Sequence, residues 1–178
     1  MTGLQAFLVA VILGVVEGLT EFLPISSTGH LIVTGHLLNY TGRQASAFEV
    51  FIQLGAILAV VVVYRARLAR WVASFDVSAH IEHPITRVLV AFVPAAVMGL
   101  LFHKKIQFHL FKPVPVAAAL IVGAIAIEVI LKVRPRATTD SVEQVSMRQA
   151  AVIGLVQCVA LWPGMSRSAA TIMGGLVV

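Results

Sequence analysis

GVVEGLTEFLPISSTGHLIVTG, from Gly14 to Gly35, and GLVQCVALWPGMSRSAATIMGG, from Gly154 to Gly175, share one pattern. Each runs apolar, then a proline, then serines, then apolar again, in a register that aligns Pro24 with Pro163 and Ser27 with Ser166. Paired short segments interrupted by proline or glycine in two halves of a chain point to a binding site made of broken membrane helices. Pro24 and Pro163 stop the incoming arms, and Ser26, Ser27 and Ser166 are good N-caps for the outgoing ones.

The composition around these segments fits a membrane. Of 178 residues, 59% are hydrophobic and 12% charged, with a mean hydropathy of +0.96, against roughly 45–50% and 25% in soluble domains. A water-soluble globular enzyme, a disordered chain and a disulfide scaffold are all excluded on these grounds. Cys158 is the single cysteine, so no intrachain disulfide forms. Nothing marks a nucleic-acid partner. The class expected is all-α: a polytopic helical membrane protein with inverted-topology repeats and two re-entrant helix-loop-helix hairpins.

Apolar segments lie at about Leu4 to Leu23, Phe48 to Tyr64, Val88 to Phe102, Val114 to Leu131 and Gln149 to Trp162, with a further piece from Ser168 to Val178. The first carries Glu17 and Glu21 and lacks a basic region followed by a small-residue cleavage pattern, so it reads as mature structure and not as a removable signal. The arm from Gln149 to Trp162 spans about 21 Å at 1.5 Å per residue, short of the roughly 30 Å hydrocarbon core, and is expected to enter and turn back. The expected layout is one membrane domain over 1–178. A first re-entrant hairpin occupies about 4–42, three spanning helices about 47–131, and a second hairpin about 149–178. The last piece stops without a polar flank, which suggests that C-terminal helices are lacking. Three crossings between the hairpins put their entries on opposite faces, with the two serine-rich turns meeting near the midplane.

Eight basic residues (Arg65, Arg67, Arg70, Arg87, Lys132, Arg134, Arg136 and Arg148) fall on one face of this layout, against Arg43, Lys104, Lys105 and Lys112 on the other. That bias makes the first face cytoplasmic and places the N-terminus outside. His36, His80, His83, His103 and His109 read as interfacial or loop residues, and Glu49 and Glu128 as side chains snorkelling from segment ends.

Ionisable groups inside apolar segments default to function. Glu17 and Glu21 are four apart, so both carboxylates share one helical face and repel unless compensated by a divalent cation such as Mg²⁺ or Ca²⁺, by Arg167, or by a shared proton. Two helix N-termini converging with Arg167 would form an anion site suited to phosphate. Ser26, Thr28, Ser166, Ser168 and Thr171 are the hydroxyls available to it. Ser27 and His30, three apart, fit a nucleophile with an imidazole base.

At EGLTEFLPISSTGH (Glu17 to His30), FEVFIQLGAILAVVVVYR (Phe48 to Arg65) and PGMSRSAAT (Pro163 to Thr171), the chain resembles the undecaprenyl pyrophosphate phosphatases, also called bacitracin-resistance proteins. The resemblance implies an integral enzyme of the bacterial cytoplasmic (inner) membrane that removes the terminal phosphate of a C55 polyprenyl diphosphate and recycles the cell-wall lipid carrier. Its site would open to the outer, periplasmic face. It also implies a site of Glu17, Glu21, Ser27, His30, Ser166, Arg167 and Thr171. Members usually continue through further C-terminal helices.

The reading is then a lipid diphosphatase. Ser27 attacks phosphorus with His30 as base, although His30 as direct nucleophile stays open. Arg167 holds the anion, and Glu17 with Glu21 holds a divalent cation. A polyprenyl-phosphate transporter or flippase is the alternative, since broken helices also build transporters. Membrane lipids are the expected surroundings, and a homo-oligomer is left open.

Overall fold

The computed structural model describes residues 2–76, 81–133, 139 and 141–178. Arg134, Arg136 and His80 lie outside the described residues. The elements are helices: α1 (Gly3–Thr20), α2 (Ser27–Leu37), α3 (Arg43–Val63), α4 (Arg65–Ala73), α5 (Pro84–Leu110), α6 (Pro113–Val133), α7 (Met147–Gln157) and α8 (Arg167–Val177), with short 3₁₀ turns at Val142–Gln144 and Cys158–Leu161. Among the described residues, four stretches are long and apolar enough to cross a membrane: Gly3–Thr20, Gln44–Val63, Pro84–Leu110 and Val114–Val133. Their large apolar side chains point outward, Leu100 at 83% exposure and Val114 at 78% among them, as lipid-facing side chains do. The protein is a polytopic helical membrane protein.

Local chemistry sets the helix starts. Thr2 accepts a hydrogen bond from the Gln5 N–H while the Gln5 side chain accepts from the Thr2 N–H, and Ser146 does the same with Gln149. Both incoming arms of the two broken segments thus open on a capping box. The arms differ in length. The 18 residues of α1 rise about 27 Å, whereas α7 and its 3₁₀ extension rise about 24 Å. Pro84 begins α5 behind His83, whose Nδ1 accepts from the Ile85 N–H at 3.3 Å.

Two packing centres result. In the first hairpin Val9, Leu13 and Leu31 are buried against Val16, Leu38, Tyr40, Phe48 and Ile52. In the second, small residues allow close approach: Gly154 lies so near the Ala91 backbone of α5 that an added Cβ would stand 2.9 Å from the Ala91 Cα. The second turn is pinned to α6 by Trp162, whose Nε1 donates to the Pro115 carbonyl at 3.0 Å.

The sequence reading did not foresee α4, a short arginine-bearing helix set off from α3 at Tyr64. Nine residues of alternating basic and apolar character fall below the length at which a hydropathy block stands out. Arg67 lies 3.5 Å from the Glu143 carboxylate, and Arg87 donates to the Glu143 carbonyl. Arg67 and Arg87 therefore gather at one end of the bundle. A backbone N–H, helped by the Arg67 charge, holds the Glu143 carboxyl below its ordinary value. Glu128 pairs with Lys132 at 3.2 Å, both exposed, as a helix-end pair.

Candidate active site

The two turns meet. Ser168 Oγ, in the first turn of α8, donates to the Leu23 carbonyl at 2.8 Å, joining the second turn to the first. Ser26 caps α2, accepting from the Gly29 N–H at 3.4 Å, and Ser166 caps α8, accepting from the Ala169 N–H at 3.2 Å. This corrects the register drawn from sequence. The caps align Ser26 with Ser166, so Ser27 matches Arg167, not Ser166. The cause lies in the backbone. In the second turn Gly164 supplies the left-handed residue at φ 96° and Ser166 stays extended, while in the first turn Ser26 itself adopts φ 65°. The first turn is one residue shorter for that reason, and a serine in this region carries strain of the kind held at functional sites.

From these caps the reactive side chains follow. Ser27 is the first residue of α2 and is buried, and its Oγ donates to Glu21 Oε2. Glu21 ends α1, and its Oε1 accepts from Arg167 Nη2 at 2.5 Å. Arg167 Nη2 also reaches Gln53 Oε1 of α3 at 3.4 Å. A continuous chain, Ser27 to Glu21 to Arg167 to Gln53, thus joins α2, α1, α8 and α3.

It borders a cavity of about 370 Å³ that is also lined by Thr28 and Ser166 and, across it on α5, by His103 and Gln107. Arg167 keeps 53% of its side chain exposed there, against 18% for Glu21. Ser166 and Ser168 share a 2.8 Å hydroxyl contact, and Ser168 does not line the cavity. Thr171 spends its hydroxyl on the Arg167 and Ser168 carbonyls at 3.0 Å each and does not line the cavity. His30 lies outside that lining as well. Its Nδ1 donates to the Ser26 carbonyl at 2.8 Å, which leaves Nε2 as the free ring nitrogen. In this arrangement the Ser27 hydroxyl is engaged by Glu21, and no Ser27–His30 hydrogen bond is formed among the described residues.

Glu17 differs from Glu21. It is 1% exposed, and neither carboxylate oxygen has a hydrogen-bond partner among the described residues. Arg167 pairs directly with Glu21 and makes no ion pair with Glu17, one turn earlier, among the described residues. An orphaned buried carboxylate beside a second one fits a hard cation with oxygen ligands. No group of three or more His, Cys, Asp or Glu side chains converges among the described residues, so an ion here would draw its remaining ligands from water or phosphate oxygens.

Gln53 and His103 were missed from sequence. Gln53 was detectable, being the one polar residue in the apolar run from Val50 to Val63. His103, read as interfacial, lines the cavity instead. Its role depends on α5 packing beside the second turn, which no local pattern reports.

Residues 10–178 match the family described as bacitracin resistance protein BacA. The chain is 53% identical over 172 residues to an undecaprenyl-diphosphatase of Maridesulfovibrio salexigens, covering 95% of this chain and 64% of the relative. It is 53% identical over 174 residues to an undecaprenyl-diphosphatase of Parvibaculum lavamentivorans, covering 97% and 64%. A third, from a Thermoanaerobacter species, is 47% identical over 175 residues, covering 98% and 65%. The chain therefore spans slightly less than two thirds of the length of the curated relatives it matches.

Proposed function

The chain belongs to the bacitracin resistance protein BacA family, and from that premise we propose that it works as an undecaprenyl-diphosphatase. Its substrate would be the C55 polyprenyl diphosphate, its products the lipid monophosphate and inorganic phosphate, and its role the recycling of the cell-wall lipid carrier. One observation carries this reading: a buried serine hydroxyl, a carboxylate and a half-exposed arginine, drawn from two hairpins, are linked side by side at one cavity.

The chemistry follows from that linkage. Ser27 Oγ forms a bond to the terminal phosphorus as the bridging P–O bond breaks and the lipid monophosphate leaves, while the serine proton passes to Glu21. Glu21 hands that proton to the departing lipid monophosphate and, with His30 Nε2 as the alternative acceptor, takes one from the water that attacks the phosphoserine; the proton returns to Ser27 Oγ as its bond to phosphorus breaks and inorganic phosphate departs. Arg167 and the N–H groups at the start of α2 and α8 hold the phosphate oxygens. Most of the barrier reduction in such a transfer comes from positioning and charge stabilisation. Glu17 and Glu21 are the residues that would hold a divalent cation, Mg²⁺ or Ca²⁺, which when bound would neutralise charge on the phosphate oxygens.

In the membrane, the two hairpins re-enter from opposite faces. The end carrying Arg67, Arg87 and Glu143 faces the cytoplasm, and the cavity opens to the outer side of the bacterial inner membrane. The short arm α7, the basic-residue bias and the clustering around Glu143 support this placement. The test is phosphate release from the lipid diphosphate by purified protein in detergent. Hydrolysis needs no sealed bilayer. Lipid translocation in sealed vesicles with no phosphate released in detergent would replace this reading with transport.

A further inference from the structure

We infer that Gln53 is the positioning residue that orients Arg167 toward the diphosphate. A guanidinium carries two hydrogens on Nη2. Here one is directed to Glu21 Oε1 at 2.5 Å and the other to Gln53 Oε1 at 3.4 Å. Glu21 alone would leave the guanidinium plane free to swing about that single contact. A second acceptor on the same nitrogen, contributed by a different helix, fixes the plane. The two Nη1 hydrogens and the Nε hydrogen, which form no hydrogen bond among the described residues, are left as separate donors held in that plane for the anion.

The cost of placing Gln53 argues the same way. An amide in an otherwise apolar run is unfavourable in a membrane span unless it meets a polar partner or a wet cavity. Gln53 has both, since it is half-buried, lines the 370 Å³ cavity and touches Arg167. Because Arg167 can only donate, the amide oxygen must face it, which turns the Gln53 NH₂ away from the guanidinium as a spare donor. The identity of the anion rests on the phosphatase reading. The Gln53 and Arg167 geometry does not.

The test is a double-mutant cycle with two readouts, kcat/KM for the lipid diphosphate and affinity for inorganic pyrophosphate measured by the shift in melting temperature in detergent. Gln53→Met keeps the side chain's length and removes the acceptor. It should lower pyrophosphate affinity about tenfold, the low end for a charge-assisted hydrogen bond of this length. In an Arg167→Lys background the same substitution should cost nothing further, because the guanidinium plane it orients is gone. Equal losses in both backgrounds, or none in either, would overturn the inference. If Gln53→Met does not fold, Gln53→Asn keeps an amide in the span but is one methylene too short, and it should show the same loss. Full pyrophosphate affinity in Gln53→Asn would count against the proposal. Wild-type protein that binds pyrophosphate but releases no phosphate from lipid diphosphate would defeat the phosphatase reading and leave Gln53 standing. Protein that does neither would overturn both.

Discussion

Glu21 and Arg167 are 146 positions apart in the sequence and 2.5 Å apart in the fold. Around that contact the two hairpins share one site, because Glu21 also takes the Ser27 hydroxyl and Arg167 also takes Gln53. A lysine at 167 could keep Glu21 partnered but, as a point charge, could not hold Glu21 and Gln53 and still present three further N–H donors in a fixed plane to phosphate. Arg167→Lys is therefore expected to reduce turnover of the lipid diphosphate by roughly 10²–10³, or about 2.7–4 kcal/mol, on the scale of an oxyanion donor lost. Steady-state kinetics checks this, and near-normal kcat/KM would show that only the charge matters.

The phosphoenzyme separates the two mechanisms that the sequence left open, Ser27 or His30 as nucleophile. With Ser27 as nucleophile, Ser27→Ala folds and melts normally but releases no phosphate, and rapid quench of the unmodified protein traps an acid-stable, base-labile phosphoenzyme. An acid-labile phosphoenzyme would place the covalent bond on His30 instead. Substantial turnover by Ser27→Ala would remove the serine from the reaction.

Much of this architecture was readable from local patterns. Hydropathy marked the spans, Pro24 and Pro163 marked the breaks, and the four-residue spacing of Glu17 and Glu21 marked one helical face. What was not readable depends on backbone geometry or on distant packing. The six-residue reach from Ser27 to Glu21 exists because Ser26 adopts φ 65°, a conformation that serine takes rarely and that nothing in PISSTG announces. The same residue shortens the first turn and shifts the hairpin register. Gln53 becomes meaningful only when α8 arrives beside α3. His30 was assigned to Ser27 by spacing, but its Nδ1 is tied to the Ser26 carbonyl, a choice made by the turn.

Glu17 supplies the cation test. A carboxylate 1% exposed, with both oxygens unpartnered among the described residues, is costly without a counter-charge. If it holds a divalent ion with Glu21, excess chelator should suppress phosphate release and added Mg²⁺ or Ca²⁺ should restore it. Glu17→Gln should then need at least about tenfold more cation for half-maximal rate, since one anionic ligand is lost. Activity unchanged in excess chelator would take the cation out of the reaction.

The proposed topology, with the two ends of α5 on opposite faces, predicts a labelling pattern. In a Cys158→Ala background, a cysteine at Ala73, at the end of α4, should react only with reagents that reach the cytoplasm. A cysteine at Lys112, just beyond α5, should react from outside. The contact of Arg67 with Glu143 keeps the first position at the end that carries Arg87. The 27 residues of α5, about 40 Å of helix, separate that end from Lys112. Labelling of both from one side would end the odd-crossing topology and the inverted repeat.

Gly164 links the fold to the site through a single missing methyl group. Its φ of 96° is open to glycine and strained for alanine, a cost of order 1–3 kcal/mol. The space is closed as well, because a Cβ would stand 2.5 Å from the Val116 carbonyl oxygen and 3.1 Å from the Ala119 Cβ, with Ala119 fully buried. Backbone on one side and a packed core on the other leave no flexible neighbour to yield, so Gly164→Ala must push the second turn off α6. Ser166 and Arg167 follow within three residues. The variant is therefore expected both to melt earlier and to lose activity beyond the loss of folded protein. Gly175→Ala is the control: it lies in the same hairpin on α8 with nothing within 4 Å of its Cβ, and alanine is the better helix former there. It should leave activity intact with equal or higher melting temperature. If Gly164→Ala instead matches the control in both measurements, the second turn does not set the position of Arg167.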